Sequence, residues 1–426
     1  MVSFRKSLIV SASVLWGLTA CASANVTSEA PEEYLVWLDD LKKEMIEKGI
    51  SKKTIKKVYA QDYYHPAPVA VKKDRKQLEF ILTSNDYLNR VVNKIRVEKG
   101  QKYYRDLLPV LNKIEAKYNL PAEYVVAFWG VETNFGTNFG GHNVIDALTE
   151  MSYDKRRPKF FRKELYNALK IIDDWDVDFT KMQGSWAGAM GHFQFMPSTF
   201  NAYAVDFNED GKIDIWSDFE DAAGSAANYL TTIGWNKQIP WGMQVKLPWN
   251  FDYSLTGRNK NLSVEFWNKA GVRTIGGKKI SLAKDLKVSI ITPEGKNGRA
   301  YLITDNFYKI MHWNRSENYA LAIGVFADYI KSGKKWQKIP DLGSEKIKIS
   351  DVLKIQSFIN KMGWSKLDED GQLGTNTKKA IQQVQKKAKL TQDGYPDYQL
   401  LRKINNYNKN VGFAVPVPTR KLHKQK

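Results

Sequence analysis

A nearly unbroken apolar stretch in the middle of the chain constrains the fold more than any other feature. Pro121 suits the first turn of a helix, because its fixed φ is already helical. Apolar side chains follow on all sides of the predicted helix, which ends at Asn134 or Gly136. They are Val125, Val126, Phe128, Trp129 and Val131. A helix that is apolar all round must be buried, so this segment is predicted to lie inside a helical core.

Glu132 is the one acid in this apolar run. A carboxylate on a buried helix loses hydration, and near the C-terminal end it also faces the negative pole of the backbone dipole. Both effects favour the protonated form, which a general acid needs at neutral pH. A Glu that turns outward at a helix end fits the same pattern, so these residues alone leave both interpretations open.

The rest of the chain predicts a mainly α fold of the α+β class. Apolar residues recur three and four positions apart from Glu32 to about Lys117, and again from Asn306 to Lys331. The stretch from Gln244 to Ile303 is richer in Val, Ile and Gly, which predicts a small insertion of short strands. A chain of 426 residues is long enough for two or three domains.

Breaker residues predict a small second domain with three helices. Its helical stretches are separated by turns at Asp370-Gly371 and Asp393-Gly394, and Pro340 and Gly343 mark the linker before it. The predicted segments are a signal peptide at 1–20, a first domain at 30–335, a linker at 336–347, a second domain at 348–406 and a basic tail at 407–426.

The N-terminus has the pattern of an export signal. Two basic residues precede an apolar run from Ser7 to Ala20, which is too short to span a bilayer as a stable helix. Leu18 to Cys21 resembles a lipobox, in which the cysteine is lipidated, whereas Ala24 ends an Ala-x-Ala pattern typical of ordinary signal cleavage. Cys21 is the single cysteine, so no disulfide is expected within the chain.

The charge of the chain is strongly basic. There are 65 Lys and Arg residues against 46 Asp and Glu, a net charge of +19. Such a balance favours an anionic partner. Export argues against nucleic acid, whereas peptidoglycan carries carboxylates on its stem peptides. A solvated, lysine-rich surface explains runs such as Lys52-Lys53 equally well.

Three blocks of sequence resemble the family 3, or B-type, lytic transglycosylases (glycoside hydrolase family 103), relatives of goose-type lysozyme. The blocks are Ala127–Gly136, Gly184–Ser198 and Asn306–Ala320, in the order that the family has them. The resemblance covers roughly residues 30 to 330. It implies a lysozyme-like catalytic domain on a helical scaffold, and it favours a catalytic Glu132 over an outward-turned one.

The resemblance also implies the roles of individual residues. Glu132 would be the catalytic acid/base. The implied substrate-binding residues are Ser185, Gln194, Tyr229, Trp313, Asn314 and Tyr319. The first two would line the cleft, the two tyrosines would pack against sugars, and Asn314 would hold the substrate's N-acetyl group. Trp313 stands where the family often has Tyr, which keeps a ring and loses a hydroxyl, so it carries less weight.

The mechanism that the resemblance implies needs one carboxylate. Glu132 protonates the linkage between MurNAc and GlcNAc while the substrate's N-acetyl group stabilises the cation at the anomeric carbon. The ionised Glu132 then takes the C6 hydroxyl proton, and a 1,6-anhydro end forms without water. Asp146 and Glu150 lie near in sequence, so a hydrolytic muramidase with two carboxylates stays open. A non-catalytic peptidoglycan-binding lipoprotein is a further alternative.

Residues 206–214 match the first nine positions of a calcium loop, with oxygen ligands at alternate positions and a glycine at the sixth. Ser217 stands where the twelfth-position Glu is usual; the resemblance implies a lengthened loop closed by Asp221, with Glu220 as the fallback. The expected ligands are Asp206, Asn208, Asp210, Lys212 through its carbonyl, and Asp221. Calcium would brace the fold, and no cofactor is expected for the chemistry. An empty Asp-Gly turn is the alternative.

The second domain resembles a type 1 peptidoglycan-binding domain. The resemblance rests on Val352–Gln356, Asp370–Gly374 and Asp393-Gly394. It implies a tether that raises the local concentration of glycan near the cleft. The partners expected are therefore peptidoglycan glycan strands and, through Cys21, the outer membrane of a Gram-negative bacterium. A periplasmic monomer is expected.

Overall fold

The computed structural model describes residues 32–60, 83–175 and 177–411. The predicted signal peptide, with its lipobox at Cys21, lies outside the described residues, as does most of the predicted basic tail. The described chain is predominantly helical with two small antiparallel sheets, which confirms the mainly α prediction. None of its helices is both long enough and apolar enough to cross a membrane.

Sixteen α-helices follow one another along the described residues. They are α1 (Glu32–Glu47), α2 (Lys52–Val58), α3 (Ser84–Val91), α4 (Lys94–Asp106), α5 (Leu108–Tyr118), α6 (Ala122–Thr133), α7 (Val144–Tyr153), α8 (Pro158–Trp175), α9 (Pro197–Tyr203), α10 (Phe219–Thr232), α11 (Val264–Lys269), α12 (Asp305–Trp313), α13 (Glu317–Ser332), α14 (Ile349–Lys361), α15 (Thr375–Lys387) and α16 (Tyr398–Val411).

Helix α6 is the centre of the first domain. It packs against α4, α5, α10 and α13, and Val125, Val126 and Phe128 are at most 1% exposed. The helix ends where Asn134 takes the left-handed conformation, with a φ of 50°, and its amide donates to the Trp129 carbonyl. The buried helix predicted from the apolar pattern is therefore present, and it ends at Asn134, one of the two predicted positions.

The strands are short and all antiparallel. They are β1 (His142–Asn143), β2 (Gln183–Gly184), β3 (Gly242–Lys246), β4 (Leu262–Ser263), β5 (Arg273–Thr274), β6 (Lys287–Ile291) and β7 (Ala300–Ile303). β1 pairs with β2, and the other five form one sheet in the order β4-β6-β7-β3-β5. This sheet and α11 enclose an apolar core of their own around Trp267 and Ile290. The strand-containing insertion predicted between Gln244 and Ile303 is confirmed.

Helices α14, α15 and α16 form a small C-terminal domain around Ile355, Ile381 and Leu400. The buried Gln356 connects α14 to the following turn, because its side chain donates to Asp370 (2.9 Å) and accepts from the Gly371 amide (2.8 Å). A buried side-chain amide needs hydrogen-bond partners, and the Asp370-Gly371 turn supplies them for Gln356. The prediction of three helices separated by Asp-Gly turns is confirmed.

The connection between α13 and α14 lies against the first domain. The Trp336 indole donates to the Val92 carbonyl (2.6 Å), and the Ile339 amide donates to the Asn89 side chain (2.8 Å). The segment that its breaker residues predict as a linker is therefore attached to the first domain at Trp336 and Ile339. The C-terminal domain is held beside the first domain by this connecting segment and by direct contacts such as that of Lys378 with Glu317.

Candidate active site

Glu132 lies in the last turn of α6, where two neighbouring helices contact its carboxyl group. The Tyr319 hydroxyl, on α13, donates a hydrogen bond to Glu132 Oε1. Trp313, the last residue of α12, hydrogen-bonds to the same carboxyl. The residue stays partly exposed. Three helices therefore converge on the carboxyl of a residue that is only partly exposed.

The protonation of this carboxyl is set by opposing effects. Burial raises the pKa of Glu132 to about 7, although the hydrogen bonds from Tyr319 and Trp313 favour the ionised form and lower it. A group with this pKa populates both protonation states near neutral pH. It is suited to give a proton in one step and to take one in the next.

No second carboxylate is among the groups that act on the Glu132 pKa within the described chain. The two acids near it in sequence lie elsewhere in the packing. Asp146 is buried in α7, and Glu150 hydrogen-bonds to Tyr34 of α1. Most glycoside hydrolases place two carboxylates at the bond they cleave. Within the described residues, the side chains that act on the Glu132 pKa are two neutral hydrogen-bond donors.

The Trp313 ring packs among three other aromatic rings beside Glu132, which the sequence does not indicate. Its ring lies 4.6 Å from the Phe128 ring, 5.4 Å from Phe195 and 5.1 Å from Tyr229, measured between centroids. These rings position the indole that contacts Glu132. From the sequence, Trp313 differs from the Tyr that the family often has by the loss of a hydroxyl. Nothing in the sequence indicates that its indole reaches the Glu132 carboxyl.

The glycine-rich loop between β2 and α9 is anchored to the end of α6. Thr133, the residue directly after Glu132, donates from Oγ1 to the His192 carbonyl (2.8 Å). A Cβ on Gly184 would lie 2.3 Å from the Ala189 carbonyl oxygen, so only glycine allows this close approach of backbone segments. The loop is thus positioned by the same helix that carries Glu132.

Ser185 and Gln194 hold this loop in shape. Ser185 Oγ accepts from the Ala189 amide (3.1 Å). Gln194, with a positive φ of 53°, donates from Nε2 to the carbonyls of Phe139 (3.1 Å) and Gly191 (3.2 Å). Both side chains are partly exposed. A contact with substrate stays a prediction, and the structure adds a local bracing role.

The remaining predicted contacts divide into exposed and buried groups. Asn314 is exposed beyond the end of α12, and its Oδ1 accepts from the Ser316 amide (3.1 Å). Tyr319 and Tyr229 are 3% and 8% exposed, so little ring surface is left for the sugar contacts that the resemblance implied. Their hydroxyls instead contact Glu132 and, at 3.2 Å, Nδ1 of His312. Neither hydroxyl contact was foreseen from the sequence.

The predicted calcium loop between α9 and α10 is closed by its own hydrogen bonds. Asp206 accepts from the Gly211 amide (2.8 Å), and Asp210 accepts from the Lys212 amide (2.9 Å). Asp221 is buried and accepts from the amides of Phe207 (2.7 Å) and Asp214 (2.9 Å).

The donor set of this loop suits calcium in kind, because it offers carboxylate and carbonyl oxygens. Within the described ranges, no three His, Cys, Asp or Glu side chains are grouped to hold a metal ion, so any site here would depend on Asn208 and on the Lys212 carbonyl as well. Asn208 donates to Asp218 (2.8 Å), which also caps α10. The sequence did not lead us to expect this role for Asp218, although an Asp before an apolar helix start is a capping signal.

Family models match both parts of the chain. Residues 34–328 match the model described as "Transglycosylase SLT domain", and residues 348–404 match "Putative peptidoglycan binding domain". A curated relative, the membrane-bound lytic murein transglycosylase B of Escherichia coli (strain K12), is 33% identical over 243 residues, or 56% of this chain. The match spans 64% of that relative, slightly less than two thirds of its length.

Solved structures are similar over most of the chain. SltB3 of Pseudomonas aeruginosa, in complex with NAG-anhNAM-pentapeptide, is 37% identical with a TM-score of 0.82 and covers 87% of this chain and 99% of its own. SltB1 of the same organism is 31% identical (TM-score 0.62; 70% and 99% covered). The Escherichia coli lytic transglycosylase Slt35, in complex with calcium, is 27% identical (TM-score 0.59; 69% and 92% covered).

Proposed function

Because the chain belongs to the transglycosylase SLT domain family and carries a peptidoglycan-binding domain, we propose that it is a lytic transglycosylase that cleaves the MurNAc-GlcNAc β-1,4 linkage of peptidoglycan. The observation that carries the proposal is Glu132, a partly exposed residue whose carboxyl has a pKa of about 7 and, in the described part of the chain, no partner carboxylate among the groups that set it. The complexes of SltB3 with NAG-anhNAM-pentapeptide and NAG-NAM-pentapeptide support the same chemistry.

In the first step, protonated Glu132 donates its proton to the glycosidic oxygen, and the bond from that oxygen to the anomeric carbon of MurNAc breaks. The carbonyl oxygen of the substrate's own N-acetyl group attacks the anomeric carbon and neutralises the developing cation. The exposed amide of Asn314 is our candidate for holding that N-acetyl group. Substrate assistance of this kind replaces the second carboxylate.

In the second step, the ionised Glu132 accepts the proton of the MurNAc C6 hydroxyl. The freed O6 attacks the anomeric carbon, the bond to the N-acetyl oxygen breaks, and a 1,6-anhydro end forms. The catalyst is again protonated, and no water has been consumed. Between the two steps, the hydrogen bonds from Tyr319 and Trp313 stabilise the carboxylate, because both groups donate to it.

The remaining substrate contacts are part of this proposal. Ser185 and Gln194 lie in the loop that α6 anchors, and both are partly exposed, so their outer atoms are available to a sugar. Trp313 is partly buried beside Glu132, and Tyr229 packs behind it at 5.1 Å between ring centroids. We assign these two rings to shaping the floor of the cleft next to the scissile bond.

The product distinguishes this activity from hydrolysis. We expect digestion of purified peptidoglycan to release muropeptides with anhydro ends, each lighter by one water than the product of a hydrolytic muramidase. Mass spectrometry of the soluble products, with a muramidase digest of the same peptidoglycan as reference, measures this difference. Reducing ends in the enzyme's own digest would contradict the transglycosylase proposal, and no release at all would favour a non-catalytic binding protein.

We also propose that the enzyme is exported and anchored at the outer membrane through Cys21, facing the periplasm as a monomer. The lipobox-like stretch before Cys21 supports the anchor, and the E. coli relative is named as membrane-bound. Metabolic labelling with a fatty-acid analogue tests the anchor. The wild-type protein should carry the label and Cys21→Ser should lose it. A wild-type protein without label would indicate ordinary signal cleavage instead.

Calcium is proposed as a structural ion bound through Asp206, Asn208, Asp210, the Lys212 carbonyl and Asp221. The oxygen donors and the calcium complex of Slt35 support it. After chelation, saturating calcium is expected to raise Tm by roughly 5 °C, since a ligand that binds only the folded state stabilises it. Asp210→Asn should reduce the shift, and magnesium serves as the control ion. An unchanged Tm in the chelated wild-type protein would mean an empty turn.

A further inference from the structure

The C-terminal domain contacts the same helix that supplies Tyr319. Lys378, on α15, donates from Nζ to Oε1 of Glu317 at 2.8 Å. Glu317 is the first residue of α13, and Tyr319 follows two positions later in the same turn. The cap of this turn is Ser316, whose Oγ accepts from the Tyr319 amide at 3.3 Å. One ion pair between domains therefore reaches the turn that contacts Glu132.

Arg258 joins this contact to α12 as well. Its Nε lies 3.6 Å from Glu317 Oε2, and its Nη2 donates to the Thr375 hydroxyl at the start of α15. On the other side, Nη1 lies 3.0 Å from the sulfur of Met311, two residues before the end of α12. The two helices that contact Glu132 are thus bridged to each other and to the C-terminal domain by one guanidinium group.

The three charged side chains are largely shielded from water, with side-chain exposures of 24% for Arg258, 18% for Glu317 and 25% for Lys378. Burial alone would raise the pKa of Glu317, but Lys378 and Arg258 hold it below its usual value. Glu317 is therefore ionised and held by two cations. Charges in such a place are screened less by salt than exposed pairs, and removing one partner leaves the other poorly compensated.

Two further contacts between the domains, among the described residues, lie away from this turn. The Lys296 amide donates to Asp393 at 2.9 Å, and Gln382 donates to the Tyr253 carbonyl at 3.4 Å. These contacts and the attached linker hold the C-terminal domain in place without touching α12 or α13. The pair of Lys378 with Glu317 connects the docked domain directly to α13, the helix that carries Tyr319.

We propose that Lys378 and Arg258 are positioning residues, which hold Glu317 so that docking of the peptidoglycan-binding domain sets the first turn of α13 and the contact of Tyr319 with Glu132. The inference rests on the proposed lytic transglycosylase activity and deepens it. The C-terminal domain then supports catalysis directly, in addition to its expected role as a tether.

A substrate too short to engage the C-terminal domain separates positioning from tethering. We expect full-length Lys378→Met to lower kcat by about tenfold on a soluble GlcNAc-MurNAc tetrasaccharide, with KM changed less than about twofold, because a misplaced catalytic group costs transition-state stabilisation. Lys378→Arg keeps the charge and should restore most of kcat. Lys379→Met, an exposed lysine next to it on α15, is the matched control and should behave as wild type.

The pH profile of kcat is a readout that a loss of stability alone would not move. The groups that contact Glu132 are Tyr319 and Trp313, and Tyr87 and Tyr229 face Tyr319. A weaker Tyr319 hydrogen bond favours the protonated carboxyl, so the high-pH limb of the kcat profile should move upward in Lys378→Met and return in Lys378→Arg.

Three results would overturn the inference: an unchanged kcat in Lys378→Met, an equal loss in Lys379→Met, or a loss confined to KM. Should Lys378→Met fail to fold by circular dichroism, Glu317→Gln decides the matter, since it removes the charge with little change in shape and should show the same fall in kcat. A wild-type enzyme that does not cleave the tetrasaccharide or longer strands would contradict the proposed function instead.

Discussion

Glu132→Gln is expected to lower kcat on soluble peptidoglycan strands by about a thousandfold, because general acid-base catalysis by one group contributes roughly 10²–10⁴ and this group would act in both steps. Gln keeps the size of the side chain and an oxygen that can accept from Tyr319, so the fold should be retained. Release of anhydro-muropeptides, followed by mass spectrometry over time, measures the rate.

Glu150→Gln is the matched control for this variant. Glu150 is the other nearby glutamate, and burial raises its pKa in the same direction, but its hydrogen bond goes to Tyr34. Activity near that of wild type is expected. A loss comparable to that of Glu132→Gln would indicate a second catalytic carboxylate and return the hydrolytic alternative, whereas an active Glu132→Gln would remove Glu132 from its role.

Tyr319→Phe is expected to reduce kcat by about tenfold or more and to move its pH dependence. The hydroxyl stabilises the ionised carboxyl, so its removal raises the pKa of Glu132 further above its present value of about 7. The acid form then persists to higher pH, and the high-pH limb of the kcat/KM profile should move upward. The base step, which needs the ionised form, becomes slower at neutral pH.

The control for Tyr319→Phe is Tyr124→Phe. Tyr124 is a buried tyrosine on α6, the helix of Glu132, and its hydroxyl accepts from the Trp241 amide at 3.3 Å. This variant should lose stability without moving the pH profile. If Tyr319→Phe kept the wild-type profile, or if both variants shifted it equally, the contact between Tyr319 and Glu132 would not set the pKa.

The supporting role of the C-terminal domain changes how the two parts of the chain relate. A tether alone requires only a flexible connection that keeps glycan close to the cleft. Here the connection is attached through Trp336 and Ile339, and α15 contributes a cation to the turn that carries Tyr319. In a docked domain of this kind, one contact between the domains affects the catalytic rate, separately from any tethering of glycan.

Local patterns in the sequence predicted the elements that depend on local physics. The apolar run before Glu132 predicts a buried helix, since no other environment accommodates apolar side chains on every side. The Asp-Gly turns separate three amphipathic stretches, and the structure has three helices there. The Val, Ile and Gly content between Gln244 and Ile303 likewise predicts the strands. Each of these predictions uses interactions between residues a few positions apart.

The chemistry of Glu132 depends on partners far away in the chain. Tyr319, which donates to its carboxyl, is 187 residues further on. The contact of Trp313 with Glu132 exists only once α12 packs beside α6, so no local pattern in the sequence indicates it. The tyrosines expected to face sugars are buried for the same reason. Side-chain direction is set by the packing of whole helices, which residue type and spacing do not specify.

The sequence by itself therefore determined the buried helix, its catalytic candidate and the two-domain organisation, because burial of apolar surface and turn chemistry act locally. Tertiary structure alone decided how Glu132 is held. The pKa of a carboxyl depends on how much water packing removes and on which donors packing brings near. It also decided that Lys378, 61 residues beyond Glu317, meets it across a domain boundary, a contact that no local pattern in either segment predicts.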